Sequence, residues 1–374
     1  MANIFENKKV LVLATTDNMI TQFLIPHMNH LQELGAKVEC ACSKTGKWFD
    51  QIEKEGFICH DIKFARNPLR LVNIKGYNNL KKLQKEKGFD IIYCQQPVGG
   101  LMGRLLGRKF KKPVIYTSHG FHFYKGCSLK NKLLYKNAEK WLAKYTDVLI
   151  TINDEDYEAA KKLKAKKVCK ISGIGYDTSK FKDLDFDREV FKESLGVKKD
   201  EKIVLSVSEM IKRKNYETMI KVISNLRYEN FKYLICGVGV LQESLKEKVK
   251  KLGLEDKVKF LGYRKDIAKI MAVSDVFLHC SFHEGLTMSI MEAMNCSLPV
   301  VCSNVRGNKD LIDNEKGGLL YDPCDVKGIT EGVKKLLDDG VLRSQFGVYN
   351  KLSVKKYSIE NVKKELENIY NGIR

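Results

Sequence analysis

Two glutamates with seven residues between them form the pattern in this chain that points most directly to chemistry. Glu284 and Glu292 lie in CSFHEGLTMSIMEAMNCSLP, residues 280–299, where a turn at 285–287 precedes a helix-compatible run, 288–295. If most of this stretch is helical, the step between the two residues spans about 12 Å. Unpaired backbone N–H groups and the helix dipole favour an anion at the helix start. The pattern predicts a diphosphate there, with a carboxylate for hydroxyl groups at each end, as a nucleotide sugar requires.

The same glutamates have a simpler interpretation, in which Glu284 is a first-turn acid favoured by the dipole and Glu292 is a solvated helix residue. Their position in the chain favours a binding site. An apolar, strand-like run, 275–280, comes directly before the pair. Ligands of parallel α/β sheets bind at the carboxyl ends of the strands.

Strands and helices alternate around this site. Short apolar runs predict strands at 8–14, 37–42, 91–94, 114–116, 148–152, 203–207, 233–236, 258–261, 276–280 and 299–302. Helical patterns lie between them, among them 216–226, 242–252, 266–272 and a last amphipathic stretch at 359–369. This α/β alternation predicts parallel sheets covered by helices on both faces. No G-x-G-x-x-G follows the first strand, so the dinucleotide fingerprint is absent.

The length of 374 residues is enough for two domains with separate cores. Residues 173–187, GIGYDTSKFKDLDFD, are rich in glycine and acid and mark the predicted join. The simplest architecture is a pair of doubly wound, Rossmann-like domains that face each other across a cleft. We predict domains at 1–178 and 179–356, followed by a C-terminal helix in 357–374 that packs back on the first domain.

The formal net charge of +20 is concentrated in the first half of the chain. Residues 1–180 contain 32 Lys and Arg against 17 Asp and Glu. This excess predicts an anionic partner, which could be a membrane surface, a diphosphate or nucleic acid, although part of it can be a solvated lysine-rich surface. No run of apolar residues is long enough for a membrane span and no apolar signal core opens the chain, so we expect a cytoplasmic protein.

Eleven cysteines are present without a Cys-x-x-Cys pair. Neither a disulfide framework nor a zinc site is therefore indicated. Four of the cysteines fall in or beside apolar strands and are expected to be small core residues: Cys94, Cys236, Cys280 and Cys302.

With these segments in place, the chain resembles the family 4 glycosyltransferases, whose GT-B architecture consists of two Rossmann-like domains. In the second half the matching pieces are Lys214-Asn215, Gly237-Val238-Gly239, LGLEDKVKFLGYRKDI, SDVFLHCSFHEGL with the glutamate of MEAM, and LPVVCSNVRGNKDLI. In the first half RNPL, PVGGLMGR and YTSHGFHFYKG resemble the branch that builds bacterial capsular and exopolysaccharide repeat units.

The resemblance implies a role for each matching residue of the second half. Glu284 would contact the donor sugar, Glu292 the ribose hydroxyls, and Lys214 the diphosphate. Backbone N–H groups of three residues would lie against the diphosphate: Leu286, Thr287 and Met288. A loop of three further residues would bind the base: Gly262, Tyr263 and Arg264. The family's second phosphate-binding arginine is replaced by Glu209, which leaves Arg213 or Lys212 as substitutes, or as exposed charges at a helix entry.

In the first half, His119 matches the family histidine that reaches the donor sugar. The neighbouring His122 and Asp17, in the loop after the first strand, are weaker candidates for the acceptor, since such an aspartate can also be a cap. The resemblance departs from the family pattern at Gln95-Gln96, where relatives carry histidine. Amide side chains bind hydroxyl groups but cannot act as bases, so acid/base chemistry is not expected in that loop.

Two acidic clusters have simpler interpretations than metal binding. Asp154-Glu155-Asp156 follows a strand and opens a helix, where acids act as caps. Asp183, Asp185 and Asp187 lie in the predicted join and are expected to be solvated. We predict no cofactor and no essential metal.

Residues 121–145, FHFYKGCSLKNKLLYKNAEKWLAKY, interleave aromatic and aliphatic residues with lysines. Such a segment can rest on an anionic membrane surface. It can equally be an ordinary amphipathic helix, with Leu134, Trp141 and Leu142 packed on the sheet.

Together the residues and the resemblance imply a retaining glycosyltransferase of the hexosyltransferase type, peripheral on the inner face of the plasma membrane. It would transfer a sugar from a nucleotide donor, expected to be a UDP-sugar, to a lipid-diphosphate-linked saccharide in capsule or exopolysaccharide synthesis. A nucleotide-sugar epimerase and a noncatalytic nucleotide-sugar-binding component of a polysaccharide assembly are the alternatives. Nucleic-acid binding explains the charge but not the glutamates.

Overall fold

The computed structural model describes residues 4–46, 48–182 and 184–371. They form two compact units. Unit 1 contains the residues up to Gly175 together with the segment that begins at Ile359, and unit 2 is Tyr176–Ser358. The change of unit falls within the predicted join, where Gly175 has a φ of +84° and a side chain would collide with Ile359.

Unit 1 is built on a seven-stranded parallel sheet in the order β3-β2-β1-β4-β5-β6-β7. Its strands are β1 (Lys9–Thr16), β2 (Lys37–Ser43), β3 (Cys59–Asp61), β4 (Ile91–Gln95), β5 (Val114–Ser118), β6 (Val148–Thr151) and β7 (Lys167–Lys170). The central strands are buried on both faces, which explains why they read as continuous apolar runs.

The helices of unit 1 connect these strands and cover both faces. They are α1 (Asp17–Met19), a π-helical turn (Ile20–Leu24), α2 (Ile25–Glu33), α3 (Trp48–Lys54), α4 (Val72–Lys87), α5 (Pro97–Phe110), α6 (Leu129–Ala143) and α7 (Asp154–Ala160). Glycines bring α5 close to the sheet, because a Cβ on Gly100 or Gly103 would collide with Tyr116 or Cys94.

The last helix, α16 (Ile359–Asn371), belongs to unit 1. Glu365 accepts hydrogen bonds from the backbone N and Oγ of Ser172, at 2.6 and 2.7 Å. The ring of Tyr370 packs edge-on against that of Phe5, with the centroids 4.7 Å apart. Buried aromatic contacts and a charged hydrogen bond thus fix the helix on this unit.

Unit 2 has a six-stranded parallel sheet in the order β10-β9-β8-β11-β12-β13. The strands are β8 (Lys202–Val207), β9 (Phe231–Cys236), β10 (Val258–Gly262), β11 (Val276–His279), β12 (Val300–Ser303) and β13 (Gly318–Tyr321). Separate hydrophobic clusters fill its two faces.

The α-helices of unit 2 are α8 (Arg188–Ser194), α9 (Tyr216–Asn225), α10 (Gln242–Lys251), α11 (Ile267–Ala272), α12 (Met288–Asn295), α13 (Asn308–Leu311), α14 (Val326–Asp338) and α15 (Gly340–Ser353). Three 3-10 turns complete it: Thr178–Phe181, Lys212–Lys214 and Val354–Tyr357. The predicted central strands and the helices α9 to α12 are therefore confirmed.

Three strands have no counterpart in the sequence prediction: β3, β7 and β13. Each is three or four residues long, and β7 reads KVCK, so charged residues interrupt its apolar pattern. The expectation that four strand cysteines are core residues is confirmed, since Cys94, Cys236, Cys280 and Cys302 are all buried.

Candidate active site

In unit 2, the loops after β8 and β11 meet at the point where the strand order changes direction. β8 and β11 are hydrogen-bonded neighbours, but α9 leads from β8 to β9 on one side and α12 leads from β11 to β12 on the other. Such a switch point leaves a crevice at the carboxyl ends of the two strands. Lys214 lies in the first loop and Glu284 in the second.

Glu284 is the centre of a buried ionic cluster. Its Oε1 lies 2.6 Å from Lys214 Nζ, and its Oε2 lies 2.6 Å from Arg213 Nη1. His279 Nε2 lies 3.2 Å from the same Oε1. Only 7% of Glu284 is exposed. The sequence-predicted residues Glu284, Lys214 and Arg213 are thus brought together.

The cluster keeps Glu284 ionised although it is buried. Burial would raise the pKa of Glu284, but the hydrogen bond from His279 and the charges of Lys214 and Arg213 outweigh it and hold that pKa well below its usual range. Burial lowers the pKa of Lys214, and the charges of Glu284 and Glu209 partly offset this effect. An anionic ligand that reached this cluster would meet two cations already in place.

Asn215 fixes the loop that carries the cations. It has a left-handed backbone, with φ +56° and ψ +42°, which asparagine adopts more readily than most residues. Its Nδ2 donates to Cys280 O at 3.1 Å and to Pro323 O at 2.8 Å. The side chain therefore ties the loop after β8 to the end of β11, and this brings Lys214 to Glu284.

The start of α12 offers unpaired backbone donors. The helix begins at Met288, and the hydroxyl of its N-cap, Thr287, donates to Asn308 Oδ1 at 2.7 Å instead of capping the helix. Within residues 184–371, no acceptor occurs for the backbone N–H groups of Leu286, Thr287 and Met288. These N–H groups can donate hydrogen bonds to an anion without breaking a hydrogen bond within the protein.

The helix boundary corrects two readings of the sequence. Glu284 precedes the helix by four residues, so the interpretation as a first-turn acid is wrong. The stretch between the two glutamates is also helical only from Met288 onward, so the helical rise does not give their separation.

Glu292 lies within α12 and is partly buried rather than solvated. Burial raises its pKa to about 7, and the charge of Lys180 opposes that shift. A carboxyl group with this pKa changes its charge near neutral pH, and only its ionised form is an acceptor at both oxygens.

The loop after β10 contains the predicted base-binding residues. Gly262 has a φ of +66°, and its carbonyl accepts from Gly237 N at 2.8 Å. Arg264 forms a bidentate pair with Asp266, with distances of 2.8 and 2.6 Å. The ring of Tyr263 is 57% exposed, so it can stack on a planar ligand.

Two residues of the cluster were missed by the sequence reading. His279 ends β11 and is buried, and Arg306 donates from Nε to Glu284 O at 2.8 Å. His279 was read as part of an apolar strand, and Arg306 lies in the quoted LPVVCSNVRGNKDLI stretch without a role. The sequence contains one signal for Arg306, which is the glycine that follows it. The structure explains that glycine, because Gly307 has a φ of +83° and a Cβ there would lie 2.7 Å from Gly285 O.

Unit 1 has its own switch point, between β1 and β4. Gln96 follows β4 with φ +62° and ψ 167°, a combination that is unfavourable for residues other than glycine. Its Oε1 accepts from Thr15 N at 3.0 Å, which ties the two loops together. Such a strained backbone persists only where the surrounding structure holds it, and here the contact with Thr15 helps to do so.

The half-buried His119 lines a small pocket in unit 1 together with the buried His27. The pocket is lined by Leu24, His27, Tyr93, Gln95, Thr117, His119, Ile171 and Ile174. His119 Nε2 lies 2.7 Å from Gln95 Oε1, and His27 Nε2 lies 2.7 Å from Ile174 O. Burial lowers the pKa of each histidine to about 4. Both imidazoles are therefore neutral at pH 7.

The two weaker acceptor candidates have different surroundings. Asp17 is fully buried, and its Oδ2 accepts from Thr45 N at 2.9 Å while Oδ1 accepts from Asn18 N and Thr45 Oγ1. It holds the loop after β2, and its part in acceptor binding stays a prediction. His122 is exposed, with its ring 4.9 Å from that of Tyr135 on α6.

The acidic clusters behave as helix starts. Asp154, Glu155 and Asp156 form the first turn of α7, where Asn153 is the N-cap. Asp187 caps α8 through Glu189 N and Val190 N, Asp185 is exposed, and Asp183 lies outside the described residues. No group of three His, Cys, Asp or Glu side chains in the described ranges is arranged to hold a metal ion, and the metal requirement stays untested.

Comparison with known domain families assigns both units. Residues 9–153 match the family described as "Glycosyl transferase 4-like", and residues 187–353 match "Glycosyl transferases group 1". The second match contains Lys214, Glu284 and Glu292.

Curated relatives extend over most of the chain. EpsD of Bacillus subtilis (strain 168) is 31% identical over 373 residues, covering 98% of this chain and 97% of its own. An Escherichia coli UDP-Gal:alpha-D-GlcNAc-diphosphoundecaprenol alpha-1,3-galactosyltransferase is 30% identical, covering 82% and 81%. The capsular polysaccharide biosynthesis glycosyltransferase CapM of Staphylococcus aureus is 26% identical, covering 98% and 97%.

Among solved structures, HepE of Anabaena in complex with UDP and glucose matches with a TM-score of 0.82 at 18% sequence identity, covering 98% of this chain and 100% of its own. This likeness identifies the GT-B fold. With the domain matches and the full-length relative, it shows that the chain belongs to the glycosyltransferases that join a 4-like N-terminal domain to a group 1 C-terminal domain.

Proposed function

We propose that this glycosyltransferase transfers a sugar from a UDP-sugar to a lipid-diphosphate-linked saccharide, with retention of anomeric configuration, in capsule or exopolysaccharide synthesis. The observation that carries the proposal is the Glu284–Lys214–Arg213 cluster beside the uncapped start of α12. Fixed cations and unpaired N–H groups suit a diphosphate, and a buried carboxylate suits sugar hydroxyls.

The donor would replace part of the ionic cluster. In this proposal the diphosphate pairs with Lys214 and accepts hydrogen bonds from the N–H groups of residues 286–288. Glu284 Oε1 then loses its contact with Lys214 and can accept a hydrogen bond from a hydroxyl of the donor sugar. Glu292 accepts from the ribose hydroxyls, and the loop 262–264 receives the base. Arg213 supplies the second cation, because the side chain of Glu209 is negative. Both residues lie in the loop after β8, where Arg213 contacts Glu284 and the charge of Glu209 acts on Lys214.

Transfer would form a bond from the acceptor oxygen to the anomeric carbon as the bond to the diphosphate breaks. The acceptor proton passes to the departing phosphate oxygen on the same face, which accounts for retention without a side-chain base. Lys214 and the start of α12 stabilise the charge that develops on the leaving group. Because His119 is neutral, a contact of its imidazole with a sugar hydroxyl would be a hydrogen bond without a charge.

The acceptor class is supported by the E. coli relative, whose name specifies a diphosphoundecaprenol-linked sugar. A lipid-linked acceptor places the enzyme at a membrane surface, and we propose peripheral association with the inner face of the plasma membrane. No helix in the described ranges is both long and apolar enough to cross a bilayer. The exposed, lysine-rich α6 is available for such a contact.

The donor assignment is tested by isothermal titration calorimetry with UDP, GDP, UDP-glucose and GDP-mannose. We expect selective binding of a UDP ligand, weakened about 100-fold by Lys214→Met because a charge-assisted contact to the diphosphate is lost. Lys212→Met is the matched control, because this exposed lysine lies two residues away in the same 3-10 turn.

Selective binding of a GDP ligand would replace UDP in the proposal. Equal affinity in Lys214→Met and Lys212→Met would contradict the diphosphate assignment. Transfer to a synthetic undecaprenyl-diphosphate saccharide, with the anomeric configuration of the product read by NMR, tests the acceptor class and the retention.

A further inference from the structure

The threonine at the start of α12 does not cap the helix that follows it. Thr287 is buried and has the extended backbone of an N-cap residue, with φ −86° and ψ 107°. A threonine in this place ordinarily accepts a hydrogen bond from an N–H group of the first turn. Within the described part of unit 2 its side chain accepts no such bond, and its hydroxyl donates to Asn308 Oδ1 at 2.7 Å.

Other α-helices of this protein do use a side-chain cap. In these helices the N-cap residue accepts a hydrogen bond from a backbone N–H group of the first turn: Ser128, Asn153, Asp187, Asp325 and Asp339. Such a bond satisfies an N–H group that has no partner within its own helix. Asn308 therefore competes with the first turn of α12 for the hydroxyl of Thr287.

The amide of Asn308 can face Thr287 only with its oxygen. Asn308 is fully buried, and its Nδ2 lies 3.2 Å from Ser303 O and 3.1 Å from Ser303 Oγ. That carbonyl can only accept, and the hydroxyl of Ser303 donates its own proton to Ser281 O at 2.6 Å. Both groups of Ser303 therefore need a donor, which fixes the NH₂ group of Asn308 on that side. The hydroxyl of Thr287 must then donate to the amide oxygen.

The backbone places Asn308 beside the start of α12. Asn308 is the first residue of α13, and Gly307 before it has a φ of +83°. A Cβ on Gly307 would lie 2.7 Å from Gly285 O, so the loop after β12 lies directly against the loop after β11. Arg306 Nε donates to Glu284 O at 2.8 Å and joins the same two loops. The contact between Asn308 and α12 is thus held from both sides.

A capping hydroxyl would occupy the place that an anion takes at a helix N-terminus. The oxygen of an N-cap side chain lies over the N–H groups of the first turn, and an anion binds at the same helix end. A diphosphate that arrived there would meet the lone pairs of that oxygen. With its hydroxyl held on Asn308, Thr287 leaves the helix start with free N–H groups and the positive end of the dipole.

We propose that Asn308 is a positioning residue for donor binding, because it holds the hydroxyl of Thr287 away from the first turn of α12 and keeps that helix start open for the diphosphate. Both donors and the oxygen of its amide are engaged within the protein, so Asn308 acts through Thr287 and not on the ligand. This inference rests on the proposed function, which assigns the diphosphate to the start of α12.

The test is calorimetry of Asn308→Ala with UDP and with uridine. The substitution frees the hydroxyl of Thr287, which then caps α12 and has to be displaced by the diphosphate. We expect about fivefold weaker binding of UDP than in the parent, the size of an ordinary N-cap contribution. Uridine has no phosphate, and its affinity should stay at the value of the parent. A purely structural defect would weaken both ligands in the same proportion.

A second substitution should rescue the first. The double variant Asn308→Ala/Thr287→Val removes the freed hydroxyl and keeps the β-branched shape of the side chain. We expect it to bind UDP within about twofold of the parent, since no oxygen then competes with the diphosphate. If Asn308 only supported the fold, the double variant would bind UDP as weakly as Asn308→Ala or more weakly.

Asn350→Ala is the matched control. Asn350 is also a fully buried asparagine of unit 2, and its Nδ2 donates to Leu298 O at 2.8 Å and to Gly317 O at 2.6 Å. Its loss should lower the free energy of unfolding as the loss of Asn308 does, but leave the UDP affinity at the value of the parent. Asn308→Ser, whose hydroxyl lies one atom closer to the backbone than the amide atoms, is measured in parallel in case the alanine variant does not fold.

The outcomes separate this inference from the proposed function. Equal UDP affinity in the parent and in the folded Asn308 variants overturns the role of Asn308 and leaves the donor site in place. An equal loss of UDP and uridine affinity, or no rescue by Thr287→Val, overturns it as well. A parent that binds no nucleoside diphosphate overturns the donor assignment and this inference together. A parent that binds UDP but transfers no sugar to the lipid-linked acceptor overturns only the acceptor assignment.

Discussion

The two switch points of the molecule have the same geometry of parallel strands, but one carries charged side chains and the other neutral ones. In unit 2 the crevice contains a buried carboxylate held by Lys214 and Arg213. In unit 1 the corresponding place contains two imidazoles, an amide and hydroxyls, with the pKa of both histidines lowered to about 4. One fold thus provides a charged site and a neutral one.

The difference indicates what each site can bind. A charged crevice with spare backbone donors stabilises a diphosphate, whereas neutral imidazoles and amides exchange hydrogen bonds with sugar hydroxyls without attracting a second anion. The lesson is that the switch point fixes where a ligand binds, and the side chains at its two loops fix the charge of that ligand.

The largest effect is expected from removing the charge at the centre of unit 2. Glu284→Gln keeps the shape but leaves Lys214 and Arg213 without their counter-ion. We expect the transfer rate to fall about 1000-fold, and the free energy of unfolding to fall by about 3 kcal/mol. Nucleotide binding should persist, because the cations remain. Transfer assays, denaturant unfolding and calorimetry give these three quantities.

Glu217→Gln provides the comparison for that variant. Glu217 pairs with Lys248 on the surface and is 57% exposed, so its loss should change the free energy of unfolding by less than about 0.5 kcal/mol. Unchanged transfer by Glu284→Gln would show that the charge of Glu284 is not needed for transfer. The contrast between a charged and a neutral site would then have no functional meaning.

The neutral site should respond to acid. The folded pKa of His27 is about 4 and the unfolded value is 6.5, so the unfolded state binds more protons and stability is lost as pH falls from 6.5 towards 4. Between pH 7.5 and pH 5 we expect His27 alone to account for about 2 kcal/mol of lost unfolding free energy. His27→Gln should remove that part.

Fluorescence isolates unit 1 in this measurement, because both tryptophans, Trp48 and Trp141, belong to it. Leu24→Met is the control, since it alters the same pocket without changing a titratable group. An identical pH dependence in His27→Gln and the parent would show that His27 is not the neutral buried group described here.

The sequence predicted the charged site better than the neutral one. Glu284, Lys214 and Asn215 stand in motifs with fixed spacing, so resemblance located them. The ionic cluster itself was not predictable, because His279 ends β11 whereas Arg306 lies in the loop after β12, and the two meet Glu284 only in the folded unit. The spacing argument for Glu292 also assumed a helix through residues that form a loop.

The neutral site was less visible in the sequence for a physical reason. His27 lies on α2 and Tyr93 and Gln95 on β4, and no local pattern announces that they share a pocket with His119. The fold was predictable where a strand is apolar and buried along its length, as in β6, β11 and β12. It was missed at β3, β7 and β13, which are partly exposed and in which charged residues or a glycine shorten the apolar run.

The next smaller effect is expected from the titration of Glu292, which lies in unit 2. Burial raises its pKa to about 7, so raising the pH from 6 to 8 ionises it. The ionised carboxylate is the better acceptor for ribose hydroxyls, and we expect the affinity for UDP-glucose to rise up to tenfold, an effect of order 1 kcal/mol. Calorimetry at the two pH values should show this rise, and Glu292→Gln should be flat. A rise that survives in Glu292→Gln would assign the titration to another group.

The smallest expected effect concerns Glu209, the acid at the position where the family resemblance implies an arginine. Glu209 is exposed, and its charge acts on Lys214, so it adds a negative charge to an otherwise cationic crevice. Glu209→Arg should tighten UDP binding about fivefold, since an exposed charge acts through water. Glu209→Gln should give a smaller gain, because it removes repulsion without adding attraction. At 1 M salt both gains should shrink, since exposed charges are screened there. A gain that is independent of salt would mean that Glu209 acts by shaping the loop after β8 rather than by its charge, and the contrast between the two sites would then depend on Glu284, Lys214 and Arg213 alone.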